Sequence, residues 1–120
     1  MLTLHTDGDG LVTPDNQHAY ADVVGSVGEE GLLRQLYVHR GGHCTFTVAE
    51  SLVALTMLRE RIDTGTWPSL EPVVLNAAAT ALGPELSVLA RGGEPAEPAF
   101  CDFAPRAFPR RYDTRDAVRA

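Results

Sequence analysis

A histidine and a pair of aspartates stand where two strands would end. Asp7 and Asp9 lie in the turn cluster Asp7-Gly8-Asp9-Gly10, and His43 follows Arg40-Gly41-Gly42. A carboxylate beside an imidazole can accept its Nδ1 proton, fix its tautomer and stabilise it when charged. Nε2 is then free to take a proton from a nucleophile and return it to a leaving group. Asp9 and His43 are the candidate pair. Asp7 is the runner-up, because turns recruit aspartate for backbone bonds in any case. As a calcium loop Asp7-Gly8-Asp9 is poor, since its fifth and twelfth positions are Leu11 and His18. Cys44 beside His43 invites a Cys–His nucleophile, but adjacent side chains rarely aim at each other, so that pairing is set aside. His5 and His39 read as sheet residues, His18 as a solvated helix residue and Glu50 as a helix cap.

Two strands and a helix must position that pair. Leu2-Thr3-Leu4-His5-Thr6 alternates apolar and polar residues up to the turn cluster, which predicts a strand. Thr13 and Pro14 read as N-cap and first helical residue. The helix should end at Gly25 with Tyr20, Val23 and Val24 among its buried positions. Leu33 to His39 is a second strand, after a Gly28–Gly31 loop. Strand, helix and strand within about 38 residues make a right-handed βαβ crossover with parallel strands. Groups just past the carboxyl ends of such strands face a common crevice. Thr47-Val48-Ala49-Glu50 is a capping box that opens a helix with Val48, Leu52, Leu55, Leu58 and Ile62 on one stripe. Gly65 and Trp67-Pro68 end it. Residues 72–82 are a third helix, which tolerates Pro72 in its first turn. Irregular chain is expected from Arg91 onward, its Phe100, Phe103, Phe108 and Tyr112 docking it to the rest.

Composition narrows the function classes. At 120 residues and 44% hydrophobic content the chain can fill one modest core. Its net charge of −6 argues against a nucleic-acid binder. Residues 105–120 carry five Arg and two Asp, a basic tail (+3) on a body of −9. The Arg106, Arg110 and Arg111 cluster in it reads as a salt-bridged tail. No stretch approaches 18 consecutive apolar residues, so no membrane span is expected. Met1–Gly10 has two aspartates and no basic residue, unlike a signal peptide, which makes a cytoplasmic location the default. Cys44 and Cys101 can neither build a disulfide scaffold nor fill a four-ligand zinc site, although they could bond to each other. Nothing in the pattern calls for a cofactor or a metal.

The stretches HTDGDGLVTPDNQHAYADVV and LLRQLYVHRGGHCTFTVAESLVALTMLRERIDTGTWP resemble the last third of bacterial α/β-hydrolase-fold serine hydrolases. In that family a G-D-x-L/V-V turn carries the acid and a G-H turn the histidine. The resemblance covers residues 2–68 well and residues 70–113 more loosely. It implies a partial α/β-hydrolase fold: the last two parallel strands with flanking helices over residues 1–90, then an irregular Pro/Arg-rich tail over 91–120. It implies Asp9 as the acid, His43 as the base, and a small-molecule ester or amide substrate. The nucleophile elbow G-x-S-x-G is absent; Val24-Gly25-Ser26-Val27-Gly28 misses it by one glycine, at a helix end rather than a strand end. The expectation is therefore a C-terminal fragment of a serine hydrolase, inactive alone. The alternative is a non-catalytic remnant or interaction module whose exposed sheet edge pairs with another copy or with a missing N-terminal part.

Overall fold

The computed structural model describes residues 1–108. Strand β1 (Leu2–Gly8) leads into helix α1 (Asp15–Ser26), a 3₁₀ turn (Glu30–Leu32) and strand β2 (Arg34–Gly41). Helices α2 (Val48–Thr64) and α3 (Pro72–Ala81) follow, and a two-residue strand β3 (Phe100–Cys101) closes the order. The architecture is α/β, with three helices and a mixed three-stranded sheet in the order β1-β2-β3. β1 and β2 are parallel, as their crossover helix requires.

Two strands were expected and three are present. β3 pairs antiparallel to β2 through Tyr37 with Cys101 and Val38 with Phe100. A two-residue strand lies in the Pro-rich stretch predicted to be irregular, too short to show a period. Phe100 is buried in the core beside Leu36, Val38, Val53 and Leu75. Phe103 lies 5.1 Å from the Tyr37 ring on the other face of β2. Arg110, Arg111 and Tyr112 lie outside the described residues.

The parallel pair is irregular at one point, and that point shapes the loops beyond it. Leu2 to Thr6 pair in register with Arg34 to Val38, but Gly8 then pairs with Gly41, so β2 carries one extra residue. Asp7 satisfies the bulge: its Oδ1 accepts from the Arg40 amide at 3.1 Å. Gly8 suits this close approach, because a Cβ would lie a tight 3.0 Å from the Arg40 carbonyl oxygen and the Gly41 Cα. Past the bulge, the Gly42 amide donates to Gly8 O at 3.1 Å, and Thr6 Oγ1 donates to Gly42 O at 2.6 Å. The two strand ends are thus stitched side by side.

The helices pack differently from their expected faces. α1 buries no residue, and Val23 is exposed. It joins the sheet through polar groups: Thr3 Oγ1 donates to Gln17 Oε1 at 2.8 Å, and Gln35 Nε2 to Gln17 O at 2.8 Å. α2 buries Ala49, Glu50, Val53 and Ala54, roughly the opposite side from the predicted stripe. Leu52, Leu55 and Ile62 are exposed, Ile62 by 72%. Ala49, Val53 and Ala54 join the core cluster with Leu36 and Val38 of β2, and Glu50, described below, anchors the same side of the helix. The larger aliphatic residues face outward instead. Leu55 and Leu58 form, with Leu2 and Leu4 of β1, the lining of an apolar groove. That groove adjoins the edge of β1, which has no partner strand among the described residues. Among the described residues no helix is long and apolar enough to cross a membrane.

Candidate active site

Asp9 sits just past β1 and is 5% exposed. Its Oδ1 accepts from the Leu11 and Val12 amides at 2.8 and 2.9 Å, an Asx-type turn that fixes the carboxylate plane. Its Oδ2 accepts from His43 Nδ1 at 2.7 Å. Burial pushes the Asp9 carboxyl up. The Val12 amide, the His43 side chain and the Leu11 amide outweigh burial and hold it below the ordinary aspartate value. Inside the same site, buried His5 donates from Nδ1 to Thr6 O at 2.8 Å and holds its Nε2 4.0 Å from Asp9 Oδ2.

His43 is carried by the turn after β2. Gly42 there has φ 96°, and a Cβ on it would meet Thr45 Cγ2 at 2.9 Å, so glycine is needed. Because a carboxylate only accepts, the proton of neutral His43 lies on Nδ1 and the Nε2 lone pair is outward. The side chain is 39% exposed. Nε2 is not alone: Cys44 Sγ lies 3.5 Å from it. The two adjacent side chains do face each other, contrary to the expectation from sequence. Neighbouring side chains diverge in extended chain. Cys44 has φ 53°, the left-handed region that non-glycine residues seldom enter, and this turns its thiol back over the ring.

Asp7 is not part of this pair. Its Oδ2 bonds His39 Nδ1 at 2.6 Å, an exposed second Asp–His contact on the sheet surface, while its Oδ1 serves the bulge. Of the four serines, Ser26, Ser51 and Ser87 donate to backbone carbonyls of their own turns. Cys44 and Cys101 are both free thiols. Among the described residues no group of three or more His, Cys, Asp or Glu is placed to hold a metal ion.

Glu50 does more than cap α2. The box is present, with Thr47 Oγ1 accepting from Glu50 N and Glu50 Oε2 accepting from Thr47 N. The same carboxylate, wholly buried, takes Arg40 in a two-pronged contact at 2.8 and 3.1 Å and the Ala99 amide at 2.9 Å. Arg40 also donates to Thr45 O and Glu97 O, both at 2.8 Å. One buried ion pair therefore ties the His43 turn, the start of α2 and the segment before β3. Sequence reasoning missed it; a lone arginine ending a strand carries no signal of its partner.

Among curated proteins, the chain is similar to an o-phthalyl amidase of Xanthobacter agilis, 41% identical over 81 residues. The aligned segment is 68% of this chain but 18% of that protein, so the chain spans a small part of the relative it matches. The relationship is partial and hydrolase-like. No family model matches the chain. No solved structure matches it.

Proposed function

We propose that this chain is the acid–base portion of a serine-type hydrolase of the α/β-hydrolase fold, acting on carboxylic esters or amides. The observation that carries the reading is the 2.7 Å bond from His43 Nδ1 to buried Asp9 Oδ2, with the His43 side chain partly exposed. The two residues follow adjacent parallel strands, the usual place for catalytic groups in open α/β sheets. In the proposed mechanism His43 Nε2 takes the proton of a serine hydroxyl as it attacks the acyl carbon. It then returns that proton to the departing alcohol or amine, while Asp9 holds the ring and stabilises its charge. The likeness to an amidase supports this class and makes amides as suitable as esters. These 120 residues contain no G-x-S-x-G elbow, so the proposal takes the serine from outside them. The open edge of β1 and the apolar groove beside it are where preceding strands of such a fold would add.

The chain alone should hydrolyse neither p-nitrophenyl esters nor anilides catalytically. If the upstream reading frame encodes a G-x-S-x-G, the longer protein should hydrolyse them, and His43→Ala should lower kcat/KM by at least about 10³-fold. An active longer protein indifferent to His43→Ala would overturn the proposal.

The exposed edge and groove also favour a second reading, in which the chain associates with itself through β1. Light scattering should then show a mass that rises with concentration and falls in Leu55→Glu. A monomer at every concentration would exclude that reading.

A further inference from the structure

We propose that Cys44 is a nucleophilic thiol activated by His43, and that it makes this chain a modification site for small carbon electrophiles, alkyl halides and activated acyl esters. The inference rests on the same Asp9–His43 pair as the hydrolytic reading, but it needs no serine. Asp9 Oδ2, His43 and Cys44 Sγ form a continuous chain of contacts, 2.7 Å at one ring nitrogen and 3.5 Å at the other. The order is acid, base, nucleophile. With Nδ1 committed to Asp9, the Nε2 lone pair is the only ring acceptor, and the thiol is the donor that faces it. Cys44 is exposed, so an electrophile can reach the sulfur without displacing protein.

The chemistry closes without any further reactant. The thiol proton passes to His43 Nε2, and the imidazolium so formed is stabilised by the Asp9 carboxylate. With iodoacetamide, sulfur forms a bond to the methylene carbon, the carbon–iodine bond breaks, and iodide leaves with the electron pair. The proton on Nε2 is then lost to water. With p-nitrophenyl acetate, sulfur adds to the carbonyl carbon and p-nitrophenolate is expelled, leaving S-acetyl-Cys44. The S-acetyl group adds about 42 mass units to the Cys44 peptide, which marks the modified residue directly.

Cys101 supplies an internal comparison. It is half-buried on β3, and burial, followed by the nearby charges of Asp7 and Asp102, pushes its thiol up. An ordinary free thiol at neutral pH is only a few per cent thiolate, which sets the baseline against which activation is read.

The test is timed iodoacetamide labelling of the whole chain at pH 7, quantified by peptide mass spectrometry at both cysteines. The native chain is compared with the chain unfolded in guanidinium chloride. Cys44 should be labelled at least about tenfold faster in the native chain than in the unfolded one. His43→Ala should erase that advantage. Asp9→Asn keeps an oxygen for the Leu11 and Val12 amides and should reduce the advantage only partly. If His43→Ala does not fold, as judged by circular dichroism, Asp9→Asn and the native-to-unfolded ratio still decide. A ratio near one, or full reactivity in folded His43→Ala, would overturn the inference. Neither result bears on a serine nucleophile, so failure here leaves the hydrolase test standing on its own.

Discussion

Removing Arg40 should be far more costly than removing any other arginine in the described chain. Its guanidinium is the counter-charge of a carboxylate with no solvent exposure, and it supplies two of the four donors that Glu50 accepts from. In Arg40→Ala the Thr47 and Ala99 amides remain, but the charge is buried without a partner. Breaking a buried pair from one side costs about 3–5 kcal/mol. A domain of this size has only about 5–15 kcal/mol in total, and the small core places this one low in that range. Most of its stability should therefore go. Urea unfolding followed by far-ultraviolet circular dichroism reads the loss directly. Arg59→Ala is the control, because its pair with Asp63 lies on an exposed helix face and should contribute less than about 0.5 kcal/mol. The double variant Arg40→Met, Glu50→Gln removes the charge as well as its partner and should recover part of the loss. A cost below about 1 kcal/mol for Arg40→Ala, or a double variant less stable than the single, would refute the reasoning.

Two further outcomes follow from individual side chains. The folded chain holds the Asp9 carboxyl below its ordinary value of 3.8, so Asp9 stabilises the fold above that pH and the contribution fades as pH falls through the lowered value. Urea midpoints at pH 5, 4 and 3 should converge between the native chain and Asp9→Asn; parallel curves would contradict this. The Tyr37 hydroxyl is buried without a hydrogen-bond partner among the described residues, and burial pushes it up to about 12. Tyr37→Phe should raise stability by about 1 kcal/mol in the same assay, and a loss of that size would mean the hydroxyl has a partner.

How much of this was legible in sequence differs from element to element, for physical reasons. The crossover of β1, α1 and β2 was readable because alternation, a Pro-led helix start and chain length leave few other topologies. The capping box was readable because it is a contact between residues three apart. The buried face of α2 was not. Its large aliphatics are spaced correctly for a core stripe, yet Ala49, Val53 and Ala54 lie inward. Periodicity locates an apolar face but cannot say which of two is nearer the sheet; here the Arg40–Glu50 pair decides, and that pair is a long-range contact.

The candidate site divides in the same way. That Asp9 and His43 would meet was inferable from two turns after adjacent strands. That Asp9 rather than Asp7 would face His43 depends on the bulge after Thr6. The extra residue in β2 leaves the Arg40 amide in need of an acceptor, Asp7 supplies it, and Asp9 is left to the His43 turn. The Cys44–His43 contact was not foreseen for a related reason. The rule that neighbours point apart holds for extended and helical chain, and the left-handed residue after Gly42 and His43 is the exception that brings thiol and imidazole together. The geometry of the candidate site thus depends on two local backbone departures, one bulge and one left-handed turn. Neither leaves a periodic trace in sequence, and both lie within three residues of the groups they aim.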